Sequence, residues 1–267
     1  MTFKKYISLT RAGILDSLQF RLALVMTVLG NLLYLLLIYN LWNSIYASMD
    51  SAKINGMTFA DTMIYLVFAS ALFNFMEMWL VWNMGRDFQT GQIIVDLLKP
   101  MKFRTYTFFR GCGELVVKFV TTFLPTAIVV FFVSKGRIQL ESNVLFFVVS
   151  VFFSLLINFY INFMVATICM YTQSIWGINV MKDVIVSLLS GATVPIAFFP
   201  DALRKVVMLL PFQAICNTPL NLLIQTELSF QERFSQLALQ LFWVILLSFA
   251  SGAFFKHAVK RITVNGG

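Results

Sequence analysis

The sequence predicts an all-α membrane protein of six transmembrane helices, and three observations carry that expectation. Of 267 residues, 59% are hydrophobic and only 12% are charged, with a mean hydropathy of +0.82, far from the mixture of a soluble globular domain. The apolar runs are about 20 to 28 residues long, enough at about 1.5 Å per residue to cross a hydrocarbon layer roughly 30 Å thick. They lack the alternation of apolar and polar residues that strands of a membrane barrel carry, so a helical bundle is the spanning solution left.

In chain order, residues 1–18 come first, with Phe3, Tyr6, Ile7, Ile14, Leu15 and Leu18 forming an amphipathic pattern. Basic residues accompany them, and no compact apolar core with a small-residue cleavage site marks a secretory signal. The segment reads as a helix lying on the cytoplasmic membrane surface, with a flexible basic tail as the alternative. Spans are then expected at 22–47, 59–84, 106–134, 144–171, 178–199 and 237–255.

An even number of spans puts both termini on one side, and the lysine and arginine bias of the short loops selects which. One set of segments holds Lys4, Lys5, Arg11 and Arg21, then Arg86, Lys99, Lys102, Arg104 and Arg110, then Lys182, and finally Lys256, Lys260 and Arg261. The opposite set holds Lys53, Lys135, Arg137, Arg204, Lys205 and Arg233. Both termini are therefore expected in the cytoplasm. The net charge of +8 gathers where topology and anionic headgroups favour it, so no nucleic-acid partner is expected.

Catalytic chemistry finds little support. The single histidine, His257, follows the last span beside Lys256 and Lys260, where an interfacial role is commoner than that of a base or ligand. Cys112, Cys169 and Cys216 stand singly, without the spacing of a zinc site or a disulfide framework. No G-x-x-x-x-G-K-[ST] phosphate loop occurs, so neither a catalytic, a metal nor a cofactor-binding residue is assigned.

The segment GRDFQTGQIIVDLLKP, residues 85–100, interrupts two strongly apolar runs. Ile93, Ile94, Leu97, Leu98 and Met101 recur at helical spacing and make one apolar face, with Asp87, Thr90, Gln92, Asp96 and Lys99 on the other. Pro100 ends the helix. Such a helix suits docking into a groove of a soluble partner, or equally resting on lipid headgroups.

Charges inside the spans are costly, on the order of 2.5 to 3.5 kcal/mol each near the centre, so they are expected in pairs. Glu77 lies in span two, while Arg110, Glu114 and Lys118 recur at i, i+4 and i+8 on one face of span three. Glu77 is expected to bond to Arg110 or Lys118 and clamp the two spans. A static assembly pair and a proton or substrate path are the other readings. Asn158 and Asn162 on span four, and Asn31 and Asn40 on span one, read first as hydrogen-bonding glue between helices. The five tryptophans fall largely near expected interfaces, and the many phenylalanines read as packing.

LLSGATVPIAFFPDALRKVVMLLPFQ, residues 188–213, resembles the segment after the fifth span in permeases of the type-2 ABC transporter family: Gly191 and Pro195, a Phe199-Pro200 pair, then an amphipathic helix closed by Leu210-Pro211-Phe212. RAGILDSLQFRLALVMTVLGNLLYLLLIYNLW, the 85–100 loop and QSIWGINVMKDVIVSLLSG resemble a compact six-span subfamily of that group, in order and spacing, over nearly the whole chain.

The resemblance implies a single permease domain over residues 1–267, in a bacterial cytoplasmic membrane. Residues 1–18 match an interfacial elbow helix, and residues 200–234 an extracellular cap with half-inserted helices. Residues 86–100 match the coupling helix, carrying Arg86, Asp87, Gly91, Ile93, Ile94, Asp96, Leu97, Leu98, Lys99 and Pro100. Gly191, Pro195, Pro200 and Pro211 fall at the cap hinge. Such permeases pair with a second permease, the same chain or a sister, and bind two cytoplasmic ATPase subunits. Those subunits hold ATP and Mg²⁺, and a hydrophobic or amphipathic drug, lipid or peptide-like compound moves outward.

A stand-alone secondary transporter or channel with a Glu/Lys proton path is the alternative. Such carriers usually show spans broken at matching positions of two halves, whereas Pro125 has no counterpart in span six. A membrane-embedded enzyme is more remote, given the lack of clustered polar groups.

Overall fold

The computed structural model describes residues 2–49, 53–133, 140–172, 174–225 and 228–260. Lys135, Arg137, Arg261 and the end of the expected third span at residue 134 lie outside them. Among the described residues, five helices are long and apolar enough to cross a membrane: Arg21–Ala47, Phe59–Gln89, Phe103–Phe132, Val144–Ile168 and Phe230–Val259.

Helix α1 (Thr2–Gln19) packs along a later helix, α6, and the chain bends at Phe20 into α2 (Arg21–Ala47). Only Ile38 and Trp42 of α2 are buried, so α2 joins the bundle chiefly at its far end. There Trp42 meets Phe198 with ring centroids 4.7 Å apart, and Tyr46 bonds to Thr62 at 2.8 Å. Nearer the middle, Asn74 donates to Asn31 at 3.1 Å, while Asn40 bonds back to its own helix at Leu36.

A hairpin of β1 (Lys53–Ile54) and β2 (Met57–Thr58) follows. Asn55 and Gly56 both take positive φ at its tip, as a two-residue turn matched to strand twist demands. Thr58 and Asp61 form a capping box that starts α3 (Phe59–Met76).

The second span is not one continuous helix. α3 stops at Met76, Glu77 is extended (φ −67°, ψ 124°), and α4 (Leu80–Gln89) resumes three residues on. Neither Gly nor Pro sits at this break; groups from other helices hold it open. The short helix α5 (Gln92–Leu97) then starts after Gly91, whose φ of 76° suits glycine.

The third span comprises α6 (Phe103–Lys118), a π-turn at Phe119–Phe123 and α7 (Leu124–Val133). Pro125 has no N–H to donate and its ring crowds the carbonyl four residues back, so the backbone widens just before it.

Helix α8 (Leu140–Ile168) is the hub, packing against α4 and against three helices still to come, α9, α11 and α12. The expected fifth span, 178–199, is not a single helix. α9 (Trp176–Leu189) has 14 residues, roughly 21 Å at 1.5 Å per residue, and ends where Gly191 turns left-handed at φ 81°. Pro195 then leads into a single 3₁₀ turn, Ile196–Phe198. α10 (Asp201–Val207) is short and exposed, whereas α11 (Gln213–Ile224) is buried along almost its whole length against α8 and α3. α12 (Phe230–Val259) starts from a Ser229–Glu232 capping box and carries His257, exposed in its last turn.

Candidate functional site

Three polar assemblies interrupt the apolar bundle, at the α4–α6 junction, at the break in the second span, and across α8 into α9. The first is the segment joining α4 to α6. Ile93 is buried, Ile94 and Leu97 are half-buried against the protein's own core, and Val95 and Leu98 are exposed, Leu98 to 80%. This corrects the division of faces expected from the sequence. Asp96, assigned outward on polarity, is only 4% exposed.

Asp96 accepts from Lys99 Nζ at 2.6 Å, and the same ammonium donates to the Tyr106 hydroxyl at 2.8 Å. Burial draws the Lys99 pKa down, but the bonds to Asp96 and Tyr106 outweigh it and hold the group above its ordinary value. The α5 helix is thus anchored on one side by Ile93 and by the Asp96–Lys99–Tyr106 chain. Its other side shows Gln92, Val95 and Leu98 at a spacing of three, with Arg86, Gly91 and Pro100 also exposed and Asp87 half-buried.

The second assembly is the break in the second span. Lys118 of α6 donates to the Glu77 main-chain carbonyl at 2.8 Å. Its ammonium also lies 3.3 Å from the Glu77 carboxylate and 3.0 Å from that of Glu114. Glu114 in turn accepts the Trp79 main-chain N–H at 3.1 Å, and Asn158 donates to the Met76 carbonyl at 2.7 Å. Backbone groups released by the break are therefore taken up by side chains, as irregular backbone at membrane depth requires. Of the two partners expected for Glu77, the structure brings Lys118. Arg110 turns instead to Asp16, 3.9 Å away, and to the Tyr106 hydroxyl at 3.4 Å.

The third assembly extends this network across α8 into α9. Asn162 donates to the side-chain oxygen of Asn158 at 3.1 Å and accepts from Lys182 at 2.8 Å, and Lys182 pairs with Asp183 at 2.5 Å. Lys182, counted from sequence as a loop cation, is 9% exposed within α9. Its place beside Asp183 inside an otherwise apolar run was the available signal.

Residues at the end of α9 are fixed closely. A side chain at Gly191 would meet the Tyr65 hydroxyl at 2.7 Å, and Asn217 of α11 donates its N–H to the Ser190 carbonyl at 3.1 Å. Pro200 precedes α10, and the buried Pro211 turns the chain from α10 into α11. The sequence reading also missed Gln240, which ties α12 to Ala214 at 2.8 Å and Ser154 at 3.1 Å. A lone amide inside the last apolar run was the clue. Among the described residues no group of His, Cys, Asp and Glu is placed to hold a metal ion.

Long apolar helices carrying internal polar clasps define a multi-pass membrane protein. A family model described as ABC-2 family transporter protein matches residues 32–266, and the chain belongs to that family. Membrane domains of this family are ABC permease subunits without an ATPase site of their own. The match leaves out α1 and the start of α2. A comparison with the curated proteins found no match.

Proposed function

We propose that the chain is the membrane-spanning permease of an ATP-driven exporter in a bacterial cytoplasmic membrane, with ATP and Mg²⁺ held by two separate ATPase subunits. A second permease, the same chain or a sister, completes the pathway. The cargo is a hydrophobic or amphipathic compound moved outward. α9, with the 190–199 turn, serves as the sixth membrane crossing, fifth in chain order. Both termini are cytoplasmic, α1 acts as an interfacial elbow, and residues 200–234 form the external cap.

One observation carries this reading. α5 is anchored on one side and bare on the other, where Val95 and Leu98 face outward beside Gln92. An exposed apolar pair one turn apart on a stiffly held helix suits a groove in a soluble partner. Force applied there passes through α4 to the break at residues 77–79, where Lys118, Glu114 and Asn158 hold the ends. The stand-alone proton carrier gains nothing from this geometry, because Lys118 already engages both carboxylates.

The test is co-purification with the candidate ATPase and ATP hydrolysis, comparing wild type with Val95→Asp and Leu98→Asp. Association in wild type and its loss in both variants, with the permease still folded, supports the reading. No association in wild type overturns it.

A further inference from the structure

A cleft of about 530 Å³ opens between the α1–α2 bend, the break in the second span and α6. Its size falls in the range of roughly 300 to 1,000 Å³ usual for small-molecule sites. It exists because α2 stands away from the bundle over its first half, its buried residues being Ile38 and Trp42 alone.

The two long walls differ in chemistry. On the α6 side, Arg110, Glu114, Lys118 and Thr121 line the space. Spaced three or four residues apart, they make a polar strip roughly 16 Å long. On the α2 side, Phe20, Ala23 and Leu24 present an apolar surface, and Thr27 beside them turns its hydroxyl back onto the Ala23 carbonyl; Met78 and Trp79 of the break close one end. The charges on the strip are balanced locally. Lys118 is met by Glu114 at 3.0 Å, and Arg110 faces Asp16 at 3.9 Å. That second pair is loose, with side chains 47% and 62% exposed, so its members are open to exchange with groups of a ligand.

A head-to-tail amphiphile placed here would run its apolar tail past Glu114 and Lys118, which hydrocarbon does not offset. A rigid molecule with one polar face and one apolar face satisfies both walls at once. We propose that this cleft binds a facially amphipathic small molecule, its polar face along the Arg110–Thr121 strip and its apolar face on Phe20, Ala23 and Leu24.

Met78 and Trp79 belong to the break itself, so an occupant presses on the segment that leads through α4 to α5. Binding is a property of this chain alone. That the occupant is cargo rests on the exporter reading.

The purified chain in phosphatidylcholine nanodiscs is titrated, by intrinsic tryptophan fluorescence, with cholate and with dodecanoate. Cholate carries its hydroxyls on one face of a rigid ring system, whereas dodecanoate is a head-to-tail carboxylate; both are kept below micellar concentrations. Saturable binding is expected for cholate and only unsaturable partitioning for dodecanoate. Ala23→Phe, which fills the slot, is expected to weaken cholate about tenfold, and Arg110→Gln, on the exposed end of the strip, several-fold.

Unsaturable cholate, equal saturable binding of both compounds, or cholate affinity unchanged in both variants would overturn the proposal. Saturable cholate binding without any associating ATPase would leave the cleft standing and remove the exporter reading. Coupled ATP hydrolysis with no cholate site would do the reverse.

Discussion

Lys118 donates to the main-chain carbonyl of Glu77 at 2.8 Å, so an ammonium from the third span closes the broken end of a helix in the second. A cation beside the C-terminus of α3 also complements its dipole. Lys118→Met strips this carbonyl and leaves the largely buried Glu114 carboxylate without its counter-charge. The expected loss is about 3 kcal/mol or more of stability, read by denaturant titration in mixed micelles. Lys118→Met combined with Glu114→Gln is expected to recover part of it, because a glutamine can still accept the Trp79 N–H and the one charge left unpaired, on Glu77, is 41% exposed and screened by solvent. A double variant no better than the single one would show that the charge pairing is unimportant.

Asn158 clasps the same break from the opposite side through the Met76 carbonyl. Asn158→Leu keeps the volume near and removes the bond. It is expected to cost about 1 kcal/mol, the scale of interhelical hydrogen bonds in membranes. Amide exchange should rise at residues 77–80 before it rises along α3. Uniform exchange along α3 and α4 would mean the break is not a separate opening unit.

Much of this architecture is legible in the sequence because span length and apolar content are local quantities. The break at residues 77–79 is not, since Met76, Met78, Trp79 and Leu80 continue the apolar run without glycine or proline. What breaks the helix arrives from α6 and α8, and only the lone Glu77 hints at it. The end of the helix within the 178–199 span is hidden for the opposite reason. Val194, Ile196, Phe198 and Phe199 keep hydropathy high beyond the point where Gly191 turns the backbone. On α5, polarity placed Asp96 outside, yet its bond to Lys99 lets a carboxylate take an inward position that Leu98 leaves for solvent.

Lys99 gives a pH expectation. Its pKa is raised above the ordinary 10.5, so its contribution is fully present below that value and is lost only as pH rises through the higher folded value. The anchoring of α5 by Lys99 should therefore be constant from about pH 6 to 9. Amide exchange in α5, corrected for intrinsic rates, is expected to be flat over that window in wild type and faster throughout it in Lys99→Met. Protection that drains away between pH 7 and 9 in wild type would contradict the assignment.

The contact between α1 and α6 depends on two glycines. A side chain at Gly113 would collide with the backbone of Gly13 and Ile14, the Gly13 Cα lying 2.6 Å from where its Cβ would stand. Small residues at such a crossing let backbones approach closely. Around it, Tyr6 stacks on Phe109 at 4.5 Å and Thr10 donates to the Phe109 carbonyl at 3.1 Å. Gly113→Ala forces α1 outward, at an expected cost of about 1 to 3 kcal/mol. Because Asp16 and Phe20 line the cleft, displacement of α1 should also weaken cholate there while leaving the α5 surface and its ATPase association intact. Limited proteolysis within residues 2–19, compared between wild type and variant, reports the release directly. If α1 is released and cholate affinity is unchanged, the cleft does not depend on the α1–α2 bend.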